Sequence, residues 1–119
     1  MINKKNIQSL NELDLHDMEL LDIKIDYSSH KVEISLKERQ KYIHILLFEH
    51  MQSFSIDGFE PWGEGMYVSE VKAITTFPES LIKKDDECVI DEEAFLTEIL
   101  INSGDKIKVL STHIQLYRR

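Results

Sequence analysis

His16 and Asp17 stand side by side in the first quarter of the chain, and an imidazole next to a carboxylate is the smallest unit that can take up and pass on a proton. That chemistry requires the two side chains to meet in space. Adjacent residues usually point apart, so the competing expectation is that Asp17 caps a turn and His16 bonds to nearby backbone. No serine or cysteine can be paired with them from sequence, so no nucleophilic mechanism follows. His44, Glu49 and His50 offer metal-binding side-chain types. On a straight strand His44 and His50 share a face and Glu49 takes the other, which favours edge or surface histidines over a metal site. Cys88 is the single cysteine. It can form no internal disulfide, and flanking acids disfavour its thiolate, so it is expected to be a small half-buried side chain in a reducing compartment. The chain has no phosphate-cradling glycine loop, no nucleophile elbow and no paired-cysteine zinc motif, and no cofactor is expected.

The remaining notable chemistry is adhesive. Trp62, the only tryptophan, lies in the segment Phe59, Glu60, Pro61, Trp62, Gly63, Glu64, and Asp85, Asp86 and Glu87 open a run of acids further on. A large aromatic on a glycine-rich loop can anchor in a partner's pocket or fold back as a lid on its own sheet. The acids give a solvated loop, or a field that speeds the approach of a basic protein. Charge is concentrated there: residues 57–98 carry twelve acids and three bases, a net −9 within a chain of net −8. Lys and Arg cluster only in pairs (Lys4 with Lys5, Lys83 with Lys84, Arg118 with Arg119), which argues against nucleic acid as a partner.

The elements that must position these groups read as mainly β. The chain's 119 residues, 42% hydrophobic and 30% charged, suit one soluble domain able to bury a core without a staple. The longest apolar run, Ile45 to Phe48, is far short of a membrane span, and residues 1–11 do not resemble a secretory signal, so a cytoplasmic location is expected. Ile7, Leu10 and Leu13 at steps of three predict a short amino-terminal helix. Leu21, Ile23, Ile25 and Tyr27 alternate with charged residues, and Val32, Ile34 and Leu36 do the same after Ser28, Ser29 and His30, which predicts a hairpin. Tyr42 to Glu49 is apolar on both faces and predicts a central strand, continued past a bend or followed by a new strand at 51–56. Met66 to Phe77, Phe95 to Asn102 and Lys106 to Tyr117 complete six or seven antiparallel strands in one curved sheet or a small sandwich. The apolar register shifts near Leu110, which a β-bulge explains.

Leu15, His16 and Asp17, then Leu20 or Leu21 and Ile23 opening a hairpin, an apolar strand, Pro61, Trp62 and Gly63, and a final strand pair together resemble small bacterial β-rich domains. Some of these are grouped with polymorphic-toxin immunity proteins. The resemblance runs from Leu15 onward, carries over no catalytic residue, and implies a cytoplasmic protein that binds and blocks a toxin. On that expectation the domain is a non-catalytic protein binder, with Phe59, Glu60, Trp62, Glu64, Asp85, Asp86 and Glu87 facing a basic partner. Two other readings compete: a small-ligand or enzymatic domain with His16, Asp17 and His44 in one cleft, and a homo-oligomer paired through edge strands such as Lys106 to Tyr117.

Overall fold

A computed structural model of the chain describes residues 1–38, 42–58, 67–75 and 92–118. Within them lie nine strands: β1 (Ile2–Asn3), β2 (Glu19–Asp26), β3 (Lys31–Lys37), β4 (Ile43–Glu49), β5 (Ser53–Asp57), β6 (Val68–Ile74), β7 (Phe95–Ile101), β8 (Lys106–Ser111) and β9 (His113–Arg118). A 3-10 turn at Lys4–Asn6 and one helix, α1 (Gln8–Asn11), precede β2. The fold is mainly β, in two antiparallel sheets ordered β1-β9-β4-β3-β2 and β5-β8-β7-β6. No helix among the described residues is long and apolar enough to cross a membrane.

Both sheets turn one face to a common core. Val32, Ile34, Leu36, Leu46, Phe48 and Ile114 come from the first sheet, and Val68, Ala73, Phe95, Ile99, Ile107 and Val109 from the second. β4 is the central strand that its two apolar faces predicted, since β3 pairs on one side and β9 on the other. Leu46 and Phe48 are buried on the inner face, and Ile45, with opposite parity, is buried as well. Leu10 anchors α1 in the core. Asn11 ties the helix to the outer strand β6, because its side-chain amide donates to the Ala73 carbonyl (3.4 Å) and its oxygen accepts from the Ala73 N–H (2.7 Å). The side chain thus does for one residue of an edge strand what a neighbouring strand would do.

Three expectations are corrected. In β2 the alternation places Leu21 inward, yet Leu20, Ile23 and Ile25 pack on the core while Leu21 is 43% and Tyr27 78% exposed. The register steps from Leu20↔Leu36 to Asp22↔Ser35, so Leu21 is an extra, bulged residue that reverses the parity behind it. Near the carboxyl end the register shift is a change of sheet. The chain passes from β8 to β9 through Thr112, as it passes from β4 to β5 through residues 50–52. Bonds from Gln52 N to Leu110 O (2.7 Å) and Thr112 N to Glu49 O (3.3 Å) hold the two crossings side by side. These divisions, with the two-residue β1, raise the strand number above six or seven. The same strands offer less free edge than expected for self-association: β8 runs between β5 and β7, and β9 pairs with β4 along its length and with β1 at His113 and Ile114.

The β2–β3 turn explains its own sequence. The Asp26 carboxylate accepts from the Ser28 N–H (3.1 Å), the Ser28 hydroxyl (2.8 Å) and the Ser29 N–H (3.3 Å), fixing four residues that end at His30 with φ +55°. Hydrogen bonds from the side chains of Ser29 and then Ser28 hold this carboxyl below its ordinary value. A depressed folded pKa adds stability above the unfolded pKa, and that stability is lost as pH falls through the folded value. Asp26→Ala is therefore expected to lower the melting temperature at neutral pH. Its deficit relative to the parent chain should shrink as pH falls below the ordinary carboxylate range, which thermal melts across an acid series will read.

Candidate functional site

The turn Leu15–Met18 joins α1 to β2, and two apolar residues seat it. Leu15 and Met18 are buried, leaving His16 and Asp17 outside. Met18 N donates to Leu15 O (3.3 Å) to close the turn, while Asp17 N donates to Val68 O (2.8 Å) and Val68 N to Met18 O (2.8 Å). A bridge between Glu19 and Tyr67 continues this contact, so the turn is locked to the start of β6 and links the two sheets. Asp17 has φ +67°, a left-handed backbone that costs most side chains about 1–2 kcal/mol and is least costly for Gly, Asn or Asp. Asp17→Gly is accordingly expected to leave stability near the parent's. Asp17→Val should lose about 1–2 kcal/mol by denaturant titration, since a β-branched side chain tolerates that conformation poorly.

His16 and Asp17 do come together: Nδ1 of His16 lies 3.1 Å from Oδ2 of Asp17, both side chains about two-thirds exposed at 62% and 67%. The adjacent pair therefore meets, contrary to the expectation that neighbours point apart. It meets in solvent, however, where the attraction between the two groups is weak.

On one side of the turn opens a cleft of about 370 Å³ walled by Asp17, Glu19, Lys37, Glu38, Tyr67 and Asn102. Glu19 and Lys37 are brought together by hairpin register, as direct partners in β2 and β3. Tyr67 and Asn102 are clamped to each other: Tyr67 N donates to Asn102 Oδ1 (3.2 Å) and Asn102 N to Tyr67 O (2.9 Å). Three carboxylates against one ammonium make the cleft acidic. On the other side of the turn lies a smaller groove of about 120 Å³, with Leu13, Leu15, Met18 and Leu116 on its apolar walls and His44 and Tyr117 beside them. Leu13, Leu116 and Tyr117 are exposed. Nearby, Arg118 stacks over Tyr42, its Cζ 4.4 Å from the ring centre. The two depressions are joined through Glu38, whose Oε2 lies 2.9 Å from Nε2 of His44.

The expected site residues are distributed as follows. Asp17 lines the cleft; His16 does not, and His44 lines the groove instead. His44 lies near the start of β4 and His50 just past its end, with Glu49 bonded to Gln115, and among the described residues they form no joint metal-binding group. Phe59, Glu60, Trp62, Glu64, Asp85, Asp86, Glu87 and Cys88 lie outside the described residues. Sequence reasoning missed Glu19, Lys37, Glu38, Tyr67 and Asn102. Only one signal for them was available: a four-residue turn at 27–30 sets Glu19 near Lys37 once the hairpin is drawn. The chain matches no model of a known protein family, and no curated protein matches it either.

Proposed function

We propose that this protein is a non-catalytic protein-binding domain that holds a basic partner at its acidic end, in the manner of a toxin-neutralising immunity protein in the bacterial cytoplasm. The observation that carries the proposal is the juxtaposition at the Leu15–Met18 turn of an acidic cleft with an exposed apolar groove. Protein interfaces combine these two features: apolar anchors supply burial, and complementary charge sets encounter rate and partner choice. In this reading Asp17, Glu19 and Glu38 meet Lys or Arg of the partner, and Leu13, Leu116 and Tyr117 supply the apolar contact. Phe59, Glu60, Trp62, Glu64, Asp85, Asp86 and Glu87 are proposed as further partner contacts on their sequence alone.

Affinity capture of the tagged chain from lysate of its own host, at low and high salt, tests this reading by identifying the retained protein. A stoichiometric, basic, salt-sensitive partner supports it; retention of nothing at low salt, or only of acidic proteins at any salt, contradicts it.

One observation favours a second reading, a small-ligand site. His16 and Asp17 are in contact, and the cleft beside them has the volume of a ligand pocket. The two readings separate on His16→Ala. A ligand site using that pair loses its ligand, whereas an interface built on Asp17, Glu19 and Glu38 keeps its partner.

A further inference from the structure

Three of the five histidines gather at the end of the five-stranded sheet remote from the acidic cleft. The β3–β4 register ends with Val32 opposite Phe48, and continued by two residues it sets His30 beside His50. The bond from Met51 N to His30 O (2.8 Å) closes that corner. On the next strand Glu49 is the direct partner of His113, and the rings of His50 and His113 meet edge to face with centroids 5.7 Å apart. His30 and His50 both have left-handed backbone, φ +55° and +54°. Among the described residues they and Asp17 are the only non-glycine residues to do so. Thr112, itself buried, places Oγ1 2.8 Å from Nδ1 of His113.

We propose that His50 and His113 bind a divalent transition-metal ion, with His30 turning in as a third ligand. Imidazole suits Cu(II), Ni(II) and Zn(II), and a ligating histidine nearly always donates its other ring N–H to a fixed acceptor. Thr112 Oγ1 lies in the place of that acceptor: in the tautomer with its proton on Nδ1, His113 donates to it and presents the Nε2 lone pair to the ion. Glu49, opposite His113, adds a negative charge on the neighbouring strand. Among the described residues no group of three such side chains stands ready around one point, so the ion would draw the two neighbouring rings together with that of His30. Met51 N bonds the His30 carbonyl and not its ring, so the side chain is able to turn without breaking that contact.

The test is titration of the intact chain with Cu(II), Ni(II) and Zn(II) near neutral pH by calorimetry, with paramagnetic resonance of the Cu(II) adduct to count nitrogen ligands. One equivalent is expected to bind, Cu(II) most tightly, with two or three imidazole nitrogens in its spectrum. His50→Asn, which suits the left-handed backbone, and His113→Gln should each weaken binding by about tenfold or more, while His16→Gln and His44→Gln leave it unchanged. The nitrogen count is read on the unaltered chain and does not depend on any variant folding. Binding that never saturates, a spectrum with fewer than two nitrogens, or loss of affinity in the His16 or His44 variant in place of those at His50 and His113 overturns the proposal.

Discussion

Phe48→Ala is expected to lower the stability of the chain by about 3–5 kcal/mol in denaturant titration, the usual cost of truncating a fully buried phenylalanine. Phe48 sits on the central strand of the larger sheet with Val32 opposite on one side and Ile114 on the other, all three fully buried. None of these neighbours lies at an edge from which it could collapse into the space left, so the cavity term adds to the lost burial. The effect distinguishes this architecture from one in which residues 43–49 form an edge strand. Leu21→Ala provides the contrast. Simple alternation makes Leu21 a core residue, but the bulge puts it in solvent, and its truncation should change stability by less than about 0.5 kcal/mol.

Reversing charge in the cleft is expected to have the largest effect on binding. The double substitution Glu19→Lys with Glu38→Lys turns a field of three carboxylates and one ammonium into one with two more ammonium groups than carboxylates. Encounter with a basic partner depends on that field. Association at low ionic strength should slow by about tenfold or more, and the difference from the parent should narrow as salt screens it. Asp22→Lys with Glu33→Lys makes the same change in net charge on the β2–β3 pair, away from the cleft walls. It should leave association close to the parent's. Equal slowing by both pairs would mean that only total charge matters and that the cleft has no special part. Surface plasmon resonance with the captured partner reads all three chains.

What could be read from the sequence was whatever depends on local period. Ile23, Ile25, Val32, Ile34 and Leu36 announce a hairpin because strand side chains alternate, and Tyr42 to Glu49 announces a central strand because both parities are apolar. The bulge at Leu21 was not legible, since Leu20 and Leu21 are equally apolar and only pairing with Leu36 and Ser35 decides which turns inward. The passage of 106–117 from one sheet to the other showed itself as a change of parity but not as a corner. That corner is made by Thr112 against Glu49, residues far apart in the chain.

The site divides in the same way. His16 and Asp17 drew notice as neighbours, and the structure places them on the turn beside the cleft. Of the other walls, Glu19 and Lys37 meet through the β2–β3 hairpin, while Tyr67 and Asn102 are brought beside them only by tertiary pairing. The histidines at 30, 50 and 113 are likewise joined by register across β3, β4 and β9, and no spacing along the chain hints at it.

The central claim is that the acidic end around Leu15–Met18 is where a basic protein binds, and amide hydrogen exchange of the chain alone and in its captured complex tests it most directly. Protection is expected to rise on binding at residues 15–19, at Lys37 and Glu38, and at Tyr67. Protection that rises only elsewhere, such as the β2–β3 turn or the histidine corner, with these amides unchanged, would contradict the account.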